Sequence, residues 1–244
     1  MGLGTNRLRD TEKNVAFIRA AVDAGVGMID TAHLYTDGES EKTIGRALSS
    51  TRSDVIVATK GGYGSAGRGK PEVIRQEIEH SLARLRIDRI ALYYLHRVDP
   101  ATPIEESLRA IKDYVDRGAI ERVGISKVDI PLIERARKVL PITAVQNEYN
   151  LAERTSDDVV DYCAREGIVF VPYYPLNVDV GRALRDTAKR HLATPRQVML
   201  AWLLRRSPAM LPIPGTLSLE HLRENLGALS LELSDSEFDE LARG

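Results

Sequence analysis

The stretch Met28-Ile29-Asp30-Thr31-Ala32-His33-Leu34-Tyr35 decides the fold, because it predicts a short buried strand that delivers an acid and then a phenol. Two further apolar runs have the same form, since residues 55–59 lead to Lys60 and residues 90–95 lead to His96. If these strands are parallel neighbours, their carboxyl ends meet on one rim and the four reactive side chains converge there. An Asp beside a Lys beside a Tyr, with a His opposite, suits proton donation to a carbonyl oxygen.

The order of elements along the rest of the chain predicts the architecture. Strands of roughly four to six residues alternate with helices about eight times, and this pattern predicts parallel strands joined by helical crossovers. The eighth strand is expected at 210–213. Eight such units in 244 residues favour a closed barrel, because (β/α)8 barrels have about 250 residues. We therefore expect an α/β fold, a single (β/α)8 TIM barrel with parallel strands, as one domain over residues 1–244.

Composition limits the possible partners and compartments. A formal net charge of −1 predicts neither a nucleic-acid nor a membrane partner. The single cysteine, Cys163, excludes a disulfide within the chain and indicates a reducing, cytoplasmic setting. We find no signal-peptide pattern and no apolar run near the roughly 18 residues of a transmembrane helix. No HExxH motif or Cys/His cluster predicts a metal. We expect a monomer that binds a small-molecule carbonyl substrate.

Several motifs, in order along essentially the whole chain, together resemble one known family. They are residues 29–32 with Tyr35, 38–41, 44–45, 58–60, 88–96, 123–126, 145–149, 212–216 and 221–225. The chain resembles an aldo-keto reductase, and in particular a short, bacterial-type member, since the link after Leu176 is brief. The resemblance implies a (β/α)8 barrel that binds a nicotinamide cofactor without a Rossmann domain and reduces an aldehyde or ketone to the alcohol. The glycine cluster after Lys60 agrees, because it has neither the GxGxxG register nor a Walker spacing.

The resemblance implies a role for each residue of the predicted rim. Tyr35 is the general acid, although a free phenol has a pKa of about 10 and is a poor donor at neutral pH. The nearby ammonium of Lys60 is expected to favour the phenolate and lower that pKa, while Asp30 holds Lys60 charged and in place. His96 points a ring nitrogen at the carbonyl oxygen, and the cofactor supplies the hydride. The residues expected to line the substrate pocket are His33, Tyr63 and Arg97.

The resemblance also implies which residues hold the cofactor. Around the nicotinamide and its ribose they are Gly4, Thr5, Asn6, Ser126, Lys127, Gln146 and Tyr173. Along the pyrophosphate and toward the adenosine they are Tyr174, Pro175, Leu176, Gly215, Thr216, Leu217, His221, Glu224 and Asn225. The family usually has Asn at Lys127, and many relatives have a Lys or Arg at Gly215 or Leu217 that grips the 2′-phosphate. NADPH is expected from the family, with NADH possible because His221 is a weaker anchor than an arginine.

Other interpretations fit parts of the sequence. One is a regulatory barrel that binds nicotinamide with little turnover, and the complete set of four rim residues argues against it. Another is an unrelated phosphate-binding barrel, such as an isomerase or aldolase, which would bind no nicotinamide. A surface-loop position suits His33 equally well. We expect Trp202 to be a core residue and the Arg205–Arg206 pair to be a solvated helix end.

Overall fold

Among the residues that the structure describes, 1–49 and 54–243, seven parallel strands form one sheet in chain order. The structure is a computed structural model, and each strand pairs in parallel with the next. The strands are β1 (Gly2–Gly4), β2 (Met28–Asp30), β3 (Ile56–Gly61), β4 (Ile90–Leu95), β5 (Ile120–Ser126), β6 (Ala144–Gln146) and β7 (Val169–Phe170). This order confirms the predicted parallel barrel arrangement, since every strand lies beside its neighbour in sequence.

Helices follow the strands and cover the outside of the sheet. They are α1 (Glu12–Asp23), α2 (Glu39–Leu48), α3 (Pro71–Leu85), α4 (Ile104–Asp116), α5 (Ile130–Arg137), α6 (Asp157–Glu166), α7 (Arg182–Arg190), α8 (Pro195–Arg206), α9 (Leu219–Gly227) and α10 (Asp235–Arg243). Local signals set their ends. The Thr11 hydroxyl caps α1 by accepting a hydrogen bond from the Asn14 N–H, and Thr194 with Gln197 forms a capping box at α8. No helix in the described ranges has the length and apolar character needed to cross a membrane.

The eighth position of the barrel holds an irregular segment, so the predicted strand at 210–213 is wrong. Residues 210–215, the closing segment, contain Pro212 and Pro214, and proline has no N–H to donate to a neighbouring strand. A continuous ladder therefore cannot form. The closing segment makes isolated parallel bridges at its two ends, Met210 to Phe170 and Gly215 to Gly4.

The closing segment nevertheless joins the two edge strands. The Leu211 N–H donates to β7 at 2.9 Å. On the other side the carbonyls of Pro212 and Pro214 accept hydrogen bonds from the N–H groups of Gly2 (3.0 Å) and Gly4 (3.2 Å). Proline lacks an N–H but keeps its carbonyl oxygen. The barrel therefore closes on the β1 side through hydrogen bonds that these carbonyls accept from β1. The eight-position barrel is complete without an eighth regular strand.

The barrel interior and the layer under the helices form separate apolar clusters. Inside the barrel, Met28, Ala58 and Ile213 pack together with Tyr94. Between sheet and helices a larger cluster includes Trp202, which is fully buried, as predicted. These contacts place apolar side chains on both faces of the sheet, as buried parallel strands require.

The prediction of a solvated helix end is wrong for Arg206. Its side chain is only 15% exposed and donates to Asp157, to Asp161 (2.8 Å) and to the Tyr149 hydroxyl (3.1 Å). These partners belong to α6 and to the loop before it, which sequence proximity to Arg206 could not indicate. Arg206 therefore ties the end of α8 to α6.

We predict that Gly4→Ala destabilises the protein by about 1–3 kcal/mol, the usual cost of overpacking. A Cβ at Gly4 would lie 2.9 Å from the carbonyl oxygen of Ile213 in the closing segment, so backbone would have to move. Urea unfolding followed by circular dichroism measures the loss. Gly27→Ala is the control, because a Cβ there meets no described atom within 4 Å, and its stability should stay within about 1 kcal/mol of wild type. Equal stability of both variants would show that barrel closure tolerates the extra carbon.

Candidate active site

The polar residues predicted at the strand ends lie on one rim of the barrel. Asp30 is the last residue of β2, Lys60 lies near the end of β3, and His96 directly follows β4. Tyr35 begins a short 3-10 turn after β2. Parallel register places the ends of these neighbouring strands side by side, with Lys60 paired to Tyr94. The structure therefore brings together the four residues that the sequence singled out.

Lys60 is the centre of this constellation. It is fully buried, and its Nζ donates to Asp30 Oδ1 (2.5 Å), to the Thr31 carbonyl (2.8 Å) and to the Tyr35 hydroxyl (3.3 Å). These three acceptors match the three N–H groups of an ammonium. The second carboxylate oxygen of Asp30 accepts from Gln146 Nε2 at 2.9 Å. Such hydrogen bonding is what a buried ion pair requires to offset desolvation.

The charge of Lys60 survives its burial. Burial alone lowers the pKa of Lys60, but the carboxylate of Asp30 and the hydroxyl of Tyr35 outweigh it, so the pKa of Lys60 is raised above its ordinary value. Lys60 is therefore an ammonium at neutral pH. It lies 4.9 Å from the centroid of the Tyr35 ring as well as beside its hydroxyl.

Lys60 lowers the pKa of Tyr35 as expected, but the net direction of the shift is upward. Burial raises the pKa of Tyr35 and the charge of Asp30 adds to this, while Lys60 lowers it without overcoming the increase. The net pKa of Tyr35 lies above its ordinary value of about 10 because desolvation disfavours the phenolate. Tyr35 is consequently a neutral phenol with its proton in place. The ammonium of Lys60 is positioned to stabilise negative charge when that proton leaves.

His96 is a neutral imidazole facing the phenol. Burial lowers the pKa of His96 to about 2, assisted by the charges of Lys60 and Arg97. Its ring lies edge-on to that of Tyr35, with centroids 6.0 Å apart. The buried Nδ1 has no hydrogen-bond partner among the described residues. A neutral imidazole carries one N–H, so His96 can donate a hydrogen bond to a ligand oxygen while carrying no charge.

Two buried carboxylates that sequence reasoning missed hold β3 in place around Lys60. Glu41 accepts a hydrogen bond from the Thr59 hydroxyl at 2.6 Å, and Glu77 accepts one from the Gly62 N–H at 2.6 Å. Both are buried, and burial raises the pKa of Glu77. Helices α2 and α3 thus fix the backbone on either side of Lys60. The sequence signal that could have revealed them is a glutamate on the face of a helix that also carries the buried apolar residues.

A cavity of about 970 Å³ opens above the rim. This volume is near the upper end of ligand sites in proteins. Its walls include Asp30, Tyr35 and His96 together with Tyr63 and Arg97. The predicted cofactor residues that line it are Gly4, Thr5, Asn6, Ser126, Lys127, Gln146, Tyr173, Tyr174, Pro175, Leu176, Gly215, Thr216, Leu217, His221 and Asn225. Lining residues that sequence analysis did not identify include Arg7, Glu148, Asn177 and Arg196.

Three predicted site residues do not line the cavity: Lys60 is fully buried beneath Asp30 and Tyr35, and His33 and Glu224 lie elsewhere in the described part of the chain. His33 stacks on His80 of α3, with ring centroids 5.6 Å apart. Glu224 accepts a hydrogen bond from the Thr194 hydroxyl at 2.5 Å, at the start of α8. Consecutive helical residues point about 100° apart. Since Asn225 faces the cavity, Glu224 is turned away from it.

The cavity wall contains a buried polar atom without a described hydrogen-bond partner and two residues with strained backbone. The buried Oδ1 of Asn225 has no hydrogen-bond partner among the described residues. Lys127 and Tyr174 line the cavity with φ values of 56° and 53°, in the left-handed region that these residues rarely adopt. Such strain concentrates at ligand sites. An elongated ligand with polar donors fits these features. No group of three or more His, Cys, Asp or Glu in the described ranges is arranged to hold a metal ion.

Comparison with known families identifies the barrel. The family model described as the aldo/keto reductase family matches residues 1–178 and 174–243. The chain belongs to the aldo-keto reductase family. The family that the sequence resembled is thereby confirmed. In this aldo-keto reductase the four predicted rim residues lie together at one end of the barrel.

Curated relatives match nearly the whole chain of this aldo-keto reductase. An uncharacterised oxidoreductase of Schizosaccharomyces pombe is 35% identical over 260 residues, covering 99% of this chain and 85% of that protein. Pyridoxine 4-dehydrogenase of Escherichia coli is 36% identical over 245 residues, covering 93% of this chain and 85% of that protein.

Solved structures match the fold of this aldo-keto reductase equally well. The thermostable aldo-keto reductase Tm1743, in complex with the inhibitor epalrestat, has a TM-score of 0.92 and 33% identity, covering 99% of this chain and 93% of that one. An aldo-keto reductase of Klebsiella pneumoniae in complex with NADPH has a TM-score of 0.89 and 29% identity, covering 99% and 89%.

We predict that Lys60→Met destabilises this aldo-keto reductase by about 3–5 kcal/mol, because it leaves the buried Asp30 carboxylate without its counter-ion. The double variant Lys60→Met with Asp30→Asn should recover part of that loss, since the amide carries no charge. Urea unfolding of wild type and both variants at pH 7 provides the measurement. A single variant as stable as wild type would mean that the ion pair contributes nothing to the fold.

Proposed function

We propose that this aldo-keto reductase uses NADPH to reduce the carbonyl group of an aldehyde or ketone to the alcohol. The observation that carries the proposal is the buried chain from Asp30 through Lys60 to Tyr35, which ends at a protonated hydroxyl in the cavity wall. His96 stands beside that hydroxyl. An acid at this point and a hydrogen-bond donor next to it suit a carbonyl oxygen.

The chain's own residues account for the proton. When bound, the reduced nicotinamide supplies a hydride to the carbonyl carbon and is oxidised. Tyr35 gives its proton to the carbonyl oxygen as the π bond opens, so that a C–H and an O–H bond form. Lys60, 3.3 Å from the Tyr35 oxygen, stabilises the phenolate that is left. This charge exists only as the reaction proceeds, so Lys60 lowers the barrier more than it stabilises the ground state.

His96 orients the substrate in this proposal. Its pKa near 2 keeps the imidazole neutral across the physiological range, so His96 donates a hydrogen bond and does not compete with Tyr35 as an acid. A neutral donor also adds no charge that would raise or lower the Tyr35 pKa. The carbonyl oxygen is therefore held between the Tyr35 hydroxyl and the His96 ring.

The cavity residues fit NADPH from end to end. Gln146 donates its amide N–H to Asp30, so its carbonyl oxygen is the end suited to accept from the nicotinamide carboxamide. Ser126 and Tyr173 also line the cavity and would hold the carboxamide and the nicotinamide ring, respectively. At the other end, the Oδ1 of Asn225, which has no partner in the described part of the chain, suits the adenine amino group. The NADPH complex of the Klebsiella pneumoniae relative supports this choice of cofactor.

The phosphates belong, in this proposal, at the loop before α9. Thr216 accepts a hydrogen bond from the Ser218 N–H at 3.1 Å, and Ser218 caps α9 through the His221 N–H at 3.3 Å. These bonds shape a turn that lines the cavity directly before a helix start, where N–H groups and the helix dipole favour an anion. Leu217 lies in the same turn.

A nicotinamide-binding regulatory barrel with little turnover is the less favoured alternative. Binding alone requires no buried ammonium at a phenol, and such a charge is costly to bury. The complete chain from Asp30 to Tyr35 therefore favours turnover. A steady-state rate with a generic aldehyde separates the two functions.

We further propose a single-domain, monomeric enzyme of the cytoplasm that acts on small carbonyl compounds without nucleic-acid or membrane partners. A net charge of −1 supports the absence of anionic macromolecular partners. Cys163, the single cysteine, is buried, and burial raises the pKa of its thiol to about 12. A thiol of this kind is unreactive, and a chain with one cysteine forms no internal disulfide, which supports a reducing compartment.

We predict that Tyr35→Phe lowers kcat for carbonyl reduction by about 100- to 10,000-fold, the usual contribution of general acid catalysis. NADPH binding should change little, because only the hydroxyl is removed. Stopped-flow turnover and NADPH fluorescence titration measure the two effects. Tyr114→Phe is the control, since it removes a phenol from α4 in the outer layer. Tyr35→Phe turnover within about threefold of wild type would exclude Tyr35 as the acid.

We predict that Leu217→Arg tightens NADPH binding about tenfold while leaving NADH binding nearly unchanged. Leu217 lies in the cavity wall, and a charge-assisted contact with the 2′-phosphate contributes about 1.5–3 kcal/mol, or roughly ten- to a hundredfold. At 42% exposure, screening favours the low end. Titration of NADPH and NADH against wild type and variant measures the two affinities. Leu229→Arg, at an exposed position, is the control for the added charge. Equal changes for NADPH and NADH would place residue 217 away from the 2′-phosphate.

A further inference from the structure

Arg97 holds an unused donor beside the proposed reaction centre. It directly follows His96, and its side chain lines the cavity. Its Nη1 is buried and has no hydrogen-bond partner among the described residues. A guanidinium is always charged and has only donors, so a buried N–H without an acceptor is unfavourable. The missing acceptor is one that a ligand in the cavity can supply.

Aromatic rings position the Arg97 guanidinium without occupying its N–H groups. The guanidinium carbon lies 5.4 Å from the centroid of the Tyr63 ring and 5.9 Å from that of the Tyr173 ring. Tyr63 in turn packs on His96, with centroids 4.8 Å apart. Cations are held over ring faces at such distances. The side chain is thus oriented in advance, and its Nη1 keeps no hydrogen-bond partner among the described residues.

The charge of the cavity wall favours an anion at Arg97. The lining carboxylates are Asp30 and Glu148, and Asp30 is already neutralised by Lys60. Against the remaining Glu148 stand the cations Arg7, Arg97, Lys127 and Arg196. The cofactor phosphates would use the loop before α9, whereas Arg97 lies after β4 next to His96. An anionic group on the substrate, apart from the cofactor, would complement Arg97.

We propose that Arg97 selects carbonyl substrates that carry a carboxylate of their own. This inference rests on the proposed carbonyl reduction and names the class of its substrate. The planar fork of an arginine matches a carboxylate with two parallel hydrogen bonds. A neutral substrate of the same shape would cover the guanidinium without an acceptor, and sites built to hydrogen-bond a ligand discriminate strongly against analogues that lack the group. The expected preference is about ten- to a hundredfold in kcat/KM.

Matched aldehydes test the inference. We would measure kcat/KM at saturating NADPH for 3- and 4-carboxybenzaldehyde and for their methyl esters. Both ring positions are included so that the carboxylate can sample two distances from the aldehyde. The ester withdraws electrons more strongly than the carboxylate and makes its aldehyde the better hydride acceptor, so intrinsic reactivity opposes the expected result. Wild type should prefer the acid by tenfold or more for at least one ring position.

Variants at Arg97 assign the preference to this residue. In Arg97→Met the ratio of acid to ester should fall to about one or below, and in Arg97→Lys, which keeps the charge without the fork, an intermediate ratio should remain. The ratio within one variant cancels any change common to both substrates. If Arg97→Met does not fold, the acid-to-ester ratios of wild type and Arg97→Lys are compared instead.

Distinct results overturn the inference and the proposed function. Turnover of the ester equal to or above that of the acid in wild type, at both ring positions, would overturn the inference alone. The same holds if Arg97→Met keeps the preference for the acid but binds NADPH more weakly by fluorescence titration, because Arg97 would then serve the cofactor. If no aldehyde is reduced, the proposed function fails and the inference fails with it.

Discussion

The ion pair between Asp30 and Lys60 is the interaction on which the site depends. Two charges in the barrel interior are tolerable only when each is fully hydrogen-bonded. Lys60 meets this condition locally, through β2 and the turn after it. Asp30 meets it from a distance, because Gln146 reaches it from β6, 116 residues further along the chain. The active site is therefore a consequence of barrel closure, and closure depends on the approach of Gly4 to the closing segment.

Burial sets the chemistry of the rim as much as charge does. Desolvation raises the Tyr35 pKa and lowers that of His96, and both shifts favour the uncharged forms. Lys60 keeps its charge because Asp30 compensates for its burial. The ion pair of Asp30 and Lys60 thus lies beside a neutral phenol and a neutral imidazole. In the proposed reaction, this arrangement keeps the Tyr35 phenol protonated at rest and reserves electrostatic stabilisation for the moment when negative charge develops on it.

The cavity rim combines strain with unsatisfied polar groups. Lys127 and Tyr174 adopt left-handed backbone conformations, and Arg97 and Asn225 hold buried polar atoms without described partners. Each feature costs folding free energy. They occur around one cavity, at opposite ends of the proposed ligand space, with Asn225 toward the adenosine and Arg97 toward the substrate. Because these costly features share one location, we attribute them to ligand binding and not to the stability of the fold.

The sequence by itself determined the order of the first seven strands and of the helices, and the delivery of four reactive side chains to strand ends. These signals depend on residues near one another in the chain. Only the tertiary structure decided the direction of the Tyr35 pKa, the turning of Glu224 away from the cavity, and the partners of Arg206. It also decided that the closing segment, with two prolines, completes the barrel without a regular strand. The physical reason is that solvation, charge and side-chain direction are set by atoms that folding brings together from distant parts of the chain.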